Sequence, residues 1–297
     1  MNRAYIIENL YRSLCNQTFK DFEWLIIDQG TDDTEMKVNQ FIKVGIVQNV
    51  RYYKSKDRTG INRAMNDAIE IAGGELFFKV DDDDYLTNDA LELIDSWEKN
   101  LPKDKSTKYA GVSGLRAYHD GKIIGGEWKH LEEYIDATGL ERRKFSLLGD
   151  KAEAYYTKVL RDYGPIPEIV GETLTFESLL YDKIADAGFK IRWFNHIIYF
   201  TEYLPDGATR NTRARLEKNL GTYSLLLQSY LKYKSQPHMY VIKNLCRYSE
   251  MCRRKGMNYD KAFLGFNEAR IITYVCWKLS LITKFIKPRN EFHYQSL

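Results

Sequence analysis

The sequence predicts an α/β fold with a mostly parallel sheet flanked by helices, followed by a helical C-terminal region. Three observations carry this. Apolar strand-like runs alternate with helical spacing through the first hundred residues, strand signals around one helix follow to about residue 205, and beyond Thr209 only helical spacing remains. With 297 residues, 44% hydrophobic and 14% aromatic, the chain can bury one large core, or one core plus an appendage. The boundary falls near 207–215, separating a domain at 1–208 from a basic helical region at 209–297.

Ile6, Ile7, Leu10 and Leu14 place an amphipathic helix over residues 4–17. Phe22 to Asp28 reads as a buried strand closing on a carboxylate. Gln29 to Asp33 is a turn, and Asp32 or Asp33 can cap a helix running to Val44. Val50 to Tyr53 is the next strand, and Gly60 to Ala72 a helix with Ile61, Ala64, Met65, Ala68 and Ile69 inward. Gly73-Gly74 admits the apolar run Glu75 to Val80, which ends in Asp81-Asp82-Asp83-Asp84, with a helix from near Thr87. Tyr109–Val112 and Lys122–Ile124 read as strands around His119-Asp120-Gly121. A helix over 175–187 stops at Gly188, and 190–194 and 197–200 form a strand pair around Asn195-His196.

Four adjacent carboxylates repel one another unless a cation sits among them. At the carboxyl end of a buried strand they lie where open α/β sheets bind ligands. Oxygen-only ligands suit Mg²⁺ or Mn²⁺, ions that also hold substrate phosphates. A solvated acidic turn capping the next helix accounts for the same residues. Gly60 opens a helix whose N-terminal amides suit a diphosphate, and Lys54, Lys56 and Arg58 add positive charge before it. Glu172 and Glu177 flank the start of the 175–187 helix, where either can act as a general base, or simply favour the helix dipole. Glu202 to Thr209 has the make-up of a lid.

Together these residues resemble the family-2 glycosyltransferases with the GT-A fold. The matching stretches are Ser13-Leu14-Cys15-Asn16-Gln17-Thr18-Phe19-Lys20-Asp21-Phe22-Glu23-Trp24-Leu25-Ile26-Ile27-Asp28, then Gly60 with Ala64 and Asn66, then Gly74-Glu75 leading into the Asp81–Asp84 tetrad. Gly149 to Glu153 and Gly171-Glu172, up to the helix carrying Glu177, complete a match over roughly 2–205. The resemblance implies transfer, with inversion, of a sugar from a nucleotide-diphosphate donor (a UDP-sugar first) to a glycan or lipid-linked acceptor. It implies a divalent cation, Mn²⁺ or Mg²⁺, on Asp83 with Asp81 beside it. Asp28, Gln29, Arg58, Gly60, Asn66, Asp81 and Asp82 fall on the donor side. Glu177, eleven residues before Gly188, matches the catalytic base, with Glu172 in reserve. Two departures stand out. Gln29 replaces the usual second Asp and removes charge assistance from a pyrimidine contact. The family's first strand, which ends in a Tyr-Asn-Arg-like segment, has no counterpart before Met1-Asn2-Arg3. Translation from further upstream, another segment filling the gap, and an impaired protein each fit this. Competing readings are therefore a non-catalytic carbohydrate- or lipid-binding remnant and a sugar nucleotidyltransferase, although no Gly-rich basic loop opens the chain.

The net charge of +3 hides an asymmetry: residues 1–209 carry 27 Lys+Arg against 36 Asp+Glu, and residues 210–297 carry 17 against 5. Neither zinc-finger spacing nor an RNP-type signature supports nucleic acid as the partner of this basic tail. An anionic membrane surface is one partner for it, and an ordinary basic helical surface is the other reading. Leu216, Leu220, Tyr223, Leu226, Leu227 and Tyr230 form one apolar stripe. Phe263, Phe266, Ile271, Ile272, Val275, Leu279, Ile282 and Phe285 form a second, flanked by Lys278, Lys284, Lys287 and Arg289. The tail reads as two to four helices that lie on a membrane interface or pack on the catalytic domain. No run reaches the ~18 apolar residues of a membrane span, and the start lacks a signal-peptide run. Four scattered cysteines fit a reducing compartment. A cytoplasmic protein is expected, peripheral at the inner face of the plasma membrane if the tail binds lipid.

Overall fold

The computed structural model describes residues 2–55, 60–103, 107–174, 176–201 and 212–282. Helix α1 (Ile7–Cys15) leads to β1 (Glu23–Asp28), α2 (Thr34–Val44), β2 (Asn49–Lys54), α3 (Ile61–Ile71), β3 (Leu76–Phe78), β4 (Tyr85–Leu86) and α4 (Ala90–Lys99). Then come β5 (Tyr109–Tyr118), β6 (Tyr134–Ala137), β7 (Lys151–Tyr156), α5 (Thr157–Tyr163), α6 (Ser178–Asp186) and β8 (Lys190–Thr201). The C-terminal region contains α7 (Thr212–Lys218), α8 (Leu220–Tyr233), α9 (His238–Arg254), the one-turn α10 (Tyr259–Ala262) and α11 (Arg270–Ile282).

The α/β class with a helical C-terminal region holds, but the pairing is more mixed than helix–strand alternation suggests. β1–β2 and β5–β8 are parallel, whereas β3–β7, β5–β7, β4–β8 and β6–β8 are antiparallel. The strands form two separate sheets, β1–β2 and a six-stranded one ordered β3-β7-β5-β8-β4 with β6 on β8. β1 and β3 do not pair with each other.

Two local expectations are corrected. Residues 190–201 form one strand rather than a pair, because the exposed Asn195-His196 is a bulge where the register against β5 jumps from Ser113/Trp193 to Leu115/Ile197. β5 runs on to Tyr118, while Lys122–Ile124 contributes only the bridge Ala117–Ile123. Among the described residues the tail has one helix more than expected if the single turn α10 is counted.

Core packing follows the two faces of the strands. Ile7, Leu10, Trp24, Phe41, Ile94 and Trp97 form a cluster with Val112 and Ile198 on one side. Met65, Ile69, Leu160, Leu180 and Trp193 form another. A third joins the tail to the α/β part: Leu174 and Phe176 pack with Leu216, Tyr223, Leu227, Leu245 and Phe263. Packing is thus the fate of the first tail stripe and of Phe263 and Phe266. Ile271, Val275 and Leu279 instead face outward. The side chain of Ile282, together with Phe285, Lys284, Lys287 and Arg289, lies outside the described residues, as do Lys56, Arg58, Thr175 and the 202–209 segment.

Candidate functional site

β1 and β3 both run toward a polar mouth lined by Asp28, Gln29, Gly60, the Asp81–Asp84 tetrad, Arg116, Asp150 and Thr173. The mouth is continuous with an apolar slot below it, and the joint cavity measures about 1140 Å³.

The tetrad's mutual repulsion is met by the protein's own cations. The Arg3 guanidinium lies 2.8 Å from both Asp82 and Asp83. Lys79 sits 2.9 Å from Asp81 Oδ1, and Arg116 3.5 Å from Asp81 Oδ2. Burial alone would raise the Asp81 carboxyl, but Lys79 and Arg116 outweigh it and hold the group down at about 2. Asp84 is the buried member: Tyr199 Oη donates to its Oδ2 at 2.7 Å, yet burial, with Asp81 nearby, pushes it up to about 7. Tyr199 also accepts from the Asp81 N–H at 2.9 Å, and Arg116 stacks on its ring at 3.9 Å.

Glu177 is the N-cap residue of α6, and Lys79 Nζ lies 2.7 Å from its Oε1. One ammonium therefore ties Asp81 to Glu177. The other oxygen of Glu177 has no protein partner among the described residues. Glu172 is placed differently: its two oxygens accept from the Gly221 and Thr222 N–H groups, each at 2.7 Å, which caps α8. Each of its oxygens thus serves a backbone N–H of the α8 start.

The donor-side residues divide in the same way. Asp28 accepts from Tyr52 Oη, Lys54 Nζ and the Gly30 N–H, so it organises the end of β1. Burial would raise its carboxyl, but these bonds hold it below the ordinary carboxylate range. Gln29 clamps Gly60, donating to its C=O at 3.1 Å and accepting from its N–H at 2.9 Å, so the amide oxygen expected to read a base is used by the protein. Gly60 adopts φ 145°, open to glycine, and starts α3 with no acid in the first turn. Asn66 turns away from the cavity: it donates to Ile166 O and Glu168 Oε1 and accepts from the Ile166 N–H. Arg58 lies outside the described residues.

Lys79, Arg116, Tyr199 and Arg3 were not singled out from sequence. Lys79 alone carried a signal, a cation inside the otherwise apolar 76–80 run, which requires a buried counter-charge. Arg116 belongs to a strand whose extent the sequence understated.

Acidic side chains at the ends of β1 and β3, beside a helix N-terminus and an opening lined by cations, sit on a GT-A-type fold. The family model described as "Glycosyl transferase family 2" matches residues 1–150, and the chain belongs to that family. It is 33% identical over 153 residues to a chondroitin synthase of Pasteurella multocida (strain Pm70), covering 51% of this chain and 15% of that protein. It is 32% identical over 95 residues to GalNAc(5)-diNAcBac-PP-undecaprenol beta-1,3-glucosyltransferase of Campylobacter jejuni, 31% of this chain and 30% of the relative. The chain thus spans less than a third of either protein's length. Among solved structures, S. aureus TarS 1–349 in complex with UDP superposes with a TM-score of 0.58 at 17% identity, covering 98% of this chain and 91% of that one. The mannosyltransferase PcManGT of Pyrobaculum calidifontis, in complex with GDP-Man and Mn²⁺, gives 0.56 at 16% identity, covering 97% and 85%.

Proposed function

We propose that this glycosyltransferase moves a sugar, with inversion, from a nucleotide-diphosphate donor to a hydroxyl of a glycan or lipid-linked acceptor during surface-polysaccharide assembly. The observation that carries the reading is the Lys79 bridge, which sets Glu177 beside the acidic strand end. Neighbours solved with UDP, UDP-GlcNAc and GDP-Man support a nucleotide-sugar donor.

A divalent cation fits the donor chemistry. Mg²⁺ and Mn²⁺ are held by one or two carboxylates plus substrate phosphates, so the lack of three converging metal ligands among the described residues is no obstacle. Asp83 would hold it, with Asp81 nearby. When bound, the ion supplies charge neutralisation of the departing diphosphate. The chain's own residues do the remainder. The α3 N-terminus at Gly60 receives phosphate oxygens. Lys79 fixes Glu177 while its second oxygen takes the acceptor proton. Arg3 leaves Asp83 as the donor enters.

Donor hydrolysis across a panel of nucleotide sugars, with Mn²⁺ and with chelator, tests this. We expect one donor class to turn over with metal only, and Asp83→Ala to abolish metal-dependent nucleotide binding. Retained metal-dependent binding in Asp83→Ala overturns the assignment. A second reading is a chain that binds without turnover. It predicts nucleotide binding with no hydrolysis of any donor.

The outer face of α11 supports a membrane contact as part of the same proposal. Ile271, Tyr274, Val275 and Leu279 are exposed at helical spacing around Lys278, in a region with 17 Lys+Arg against 5 Asp+Glu. No helix among the described residues is long and apolar enough to cross a membrane. Sedimentation with anionic liposomes at low salt, lost on Ile271→Asp, is the expected result. No pelleting removes the contact from the proposal.

A further inference from the structure

Two of the cysteines that look scattered in sequence converge in the tail. Cys246 lies on α9 and Cys276 on α11, and both are free thiols. The Cys276 thiol donates to the Ile242 C=O, with Sγ 3.9 Å from the oxygen. That carbonyl belongs to the turn of α9 just before Cys246, and four residues ahead in a helix it is the acceptor for the Cys246 N–H. Helical side chains lean back over the preceding turn. The Cys246 thiol is therefore aimed at the place where the Cys276 sulfur sits. The two groups act on each other directly: contact with Cys276 holds the Cys246 thiol below its ordinary range, and contact with Cys246, then burial, raises Cys276.

The helix contact around the pair suits close approach. α11 turns Thr273, Cys276 and Ser280 inward, all of them fully buried. Thr273 and Ser280 satisfy their hydroxyls on their own helix, through Ala269 O and Trp277 O. Small side chains let two helix backbones come within the roughly 7 Å between Cα atoms that a disulfide spans. They also bury little apolar surface. Cys276 is the α11 member of the buried tail cluster, while Ile272 and Trp277 are only partly covered. α8 and α9 each bury several large apolar side chains in that cluster, including Tyr223, Leu227, Leu245 and Met251. α11 is thus held by less core than α8 or α9, the kind of element that opens locally before the rest unfolds.

We propose that Cys246 and Cys276 are a modification site, forming a reversible disulfide with a low-molecular-weight disulfide as oxidant and thereby clamping α11 onto α9. Access sets the order of events. Cys246 is half-buried and Cys276 is 1% exposed, so a reagent from solvent meets Cys246 first. The Cys246 thiolate attacks one sulfur of glutathione disulfide, and the first glutathione leaves as its thiolate. Cys276 then gives up its proton and attacks the Cys246 sulfur, releasing the second glutathione. Two protein thiols are oxidised by two electrons, one small disulfide is reduced to two thiols, and the two protons leave on the glutathiones. Cys252 is fully buried and Cys15 packs in the α1 cluster, so neither competes for the pair.

The full chain is incubated with glutathione disulfide and followed by peptide mapping and hydrogen exchange. A peptide cross-linked between Cys246 and Cys276 should accumulate, lighter by two hydrogens than its reduced parts, with no lasting glutathione on Cys246. Exchange across α11 should slow about tenfold and recover on adding dithiothreitol. Cys276→Ser should trap one glutathione on Cys246, and Cys246→Ser should leave Cys276 unmodified over the same period. In the parent chain, both thiols still free, or a lasting glutathione on Cys246 beside a free Cys276, overturns the disulfide. Modification of Cys276 in Cys246→Ser as fast as cross-linking in the parent overturns the order of attack. A cross-link that leaves α11 exchange unchanged overturns the clamp.

Discussion

Lys79 is held between Glu177 at 2.7 Å and Asp81 at 2.9 Å, the bridge on which the proposed chemistry rests. Burial alone would lower its pKa, but the two carboxylates more than offset this and raise it, so it stays charged. In the proposed mechanism this leaves the second oxygen of Glu177 to take the acceptor proton. Glu177→Gln keeps the shape and loses the proton acceptor, so kcat should fall by about 10²–10⁴ with nucleotide affinity unchanged. Single-turnover assays beside nucleotide titration separate the two effects, and near-parental kcat would move the base elsewhere. Lys79→Met strips the counter-charge from Asp81 and Glu177 together. It should weaken both nucleotide binding and turnover, with partial rescue by Lys79→Arg. A purely structural role for Lys79 would lower stability while leaving kcat/KM in the folded fraction intact.

Residues 172–174, just before the proposed base Glu177, are held by the tail helices. Glu172 caps α8, and Asn219 Oδ1 accepts from the Thr173 and Leu174 N–H groups at 2.7 and 3.1 Å. Glu172→Ala removes a charged cap and should destabilise by about 0.5–2 kcal/mol, seen as a lower urea midpoint. Its kcat per folded molecule should stay within a few fold of the parent, because both oxygens serve α8. A loss as large as that of Glu177→Gln would return Glu172 to the chemistry. Spacing in sequence made both glutamates equivalent helix-start acids, since the partners that separate them, Lys79 and the α8 amides, lie about 45 to 100 residues away. The same limit explains the other differences. Apolar periodicity located β1, α2, β2 and α3 to within a residue or two because those signals are local. The bulge at Asn195-His196 and the bonds of Gln29 and Asn66 depend on which distant backbone arrives beside them.

At the scale of the molecule, the tail is fastened to the catalytic domain rather than appended to it, so its attachment should report on pH. Asp182 on α6 accepts from Ser229 Oγ on α8 at 3.1 Å, and burial pushes its carboxyl up to about 6. An unfolded aspartate titrates near ~3.9. A folded pKa above the unfolded one means the native state binds the proton more tightly. The stabilisation is therefore full below about pH 4 and is lost as pH rises through about 6. Asp182→Asn mimics the protonated form at every pH and cannot take part in that loss. The difference in unfolding free energy, variant minus parent, should grow by about 1–2 kcal/mol between pH 4.5 and 7.5, allowing for solvent screening at a partly exposed site. Urea unfolding at the two pH values measures it. A difference that stays constant would show that the α6–α8 junction carries no titrating load, and that the packing of Leu174 and Phe176 and the Glu172 and Asn219 caps hold the tail without it.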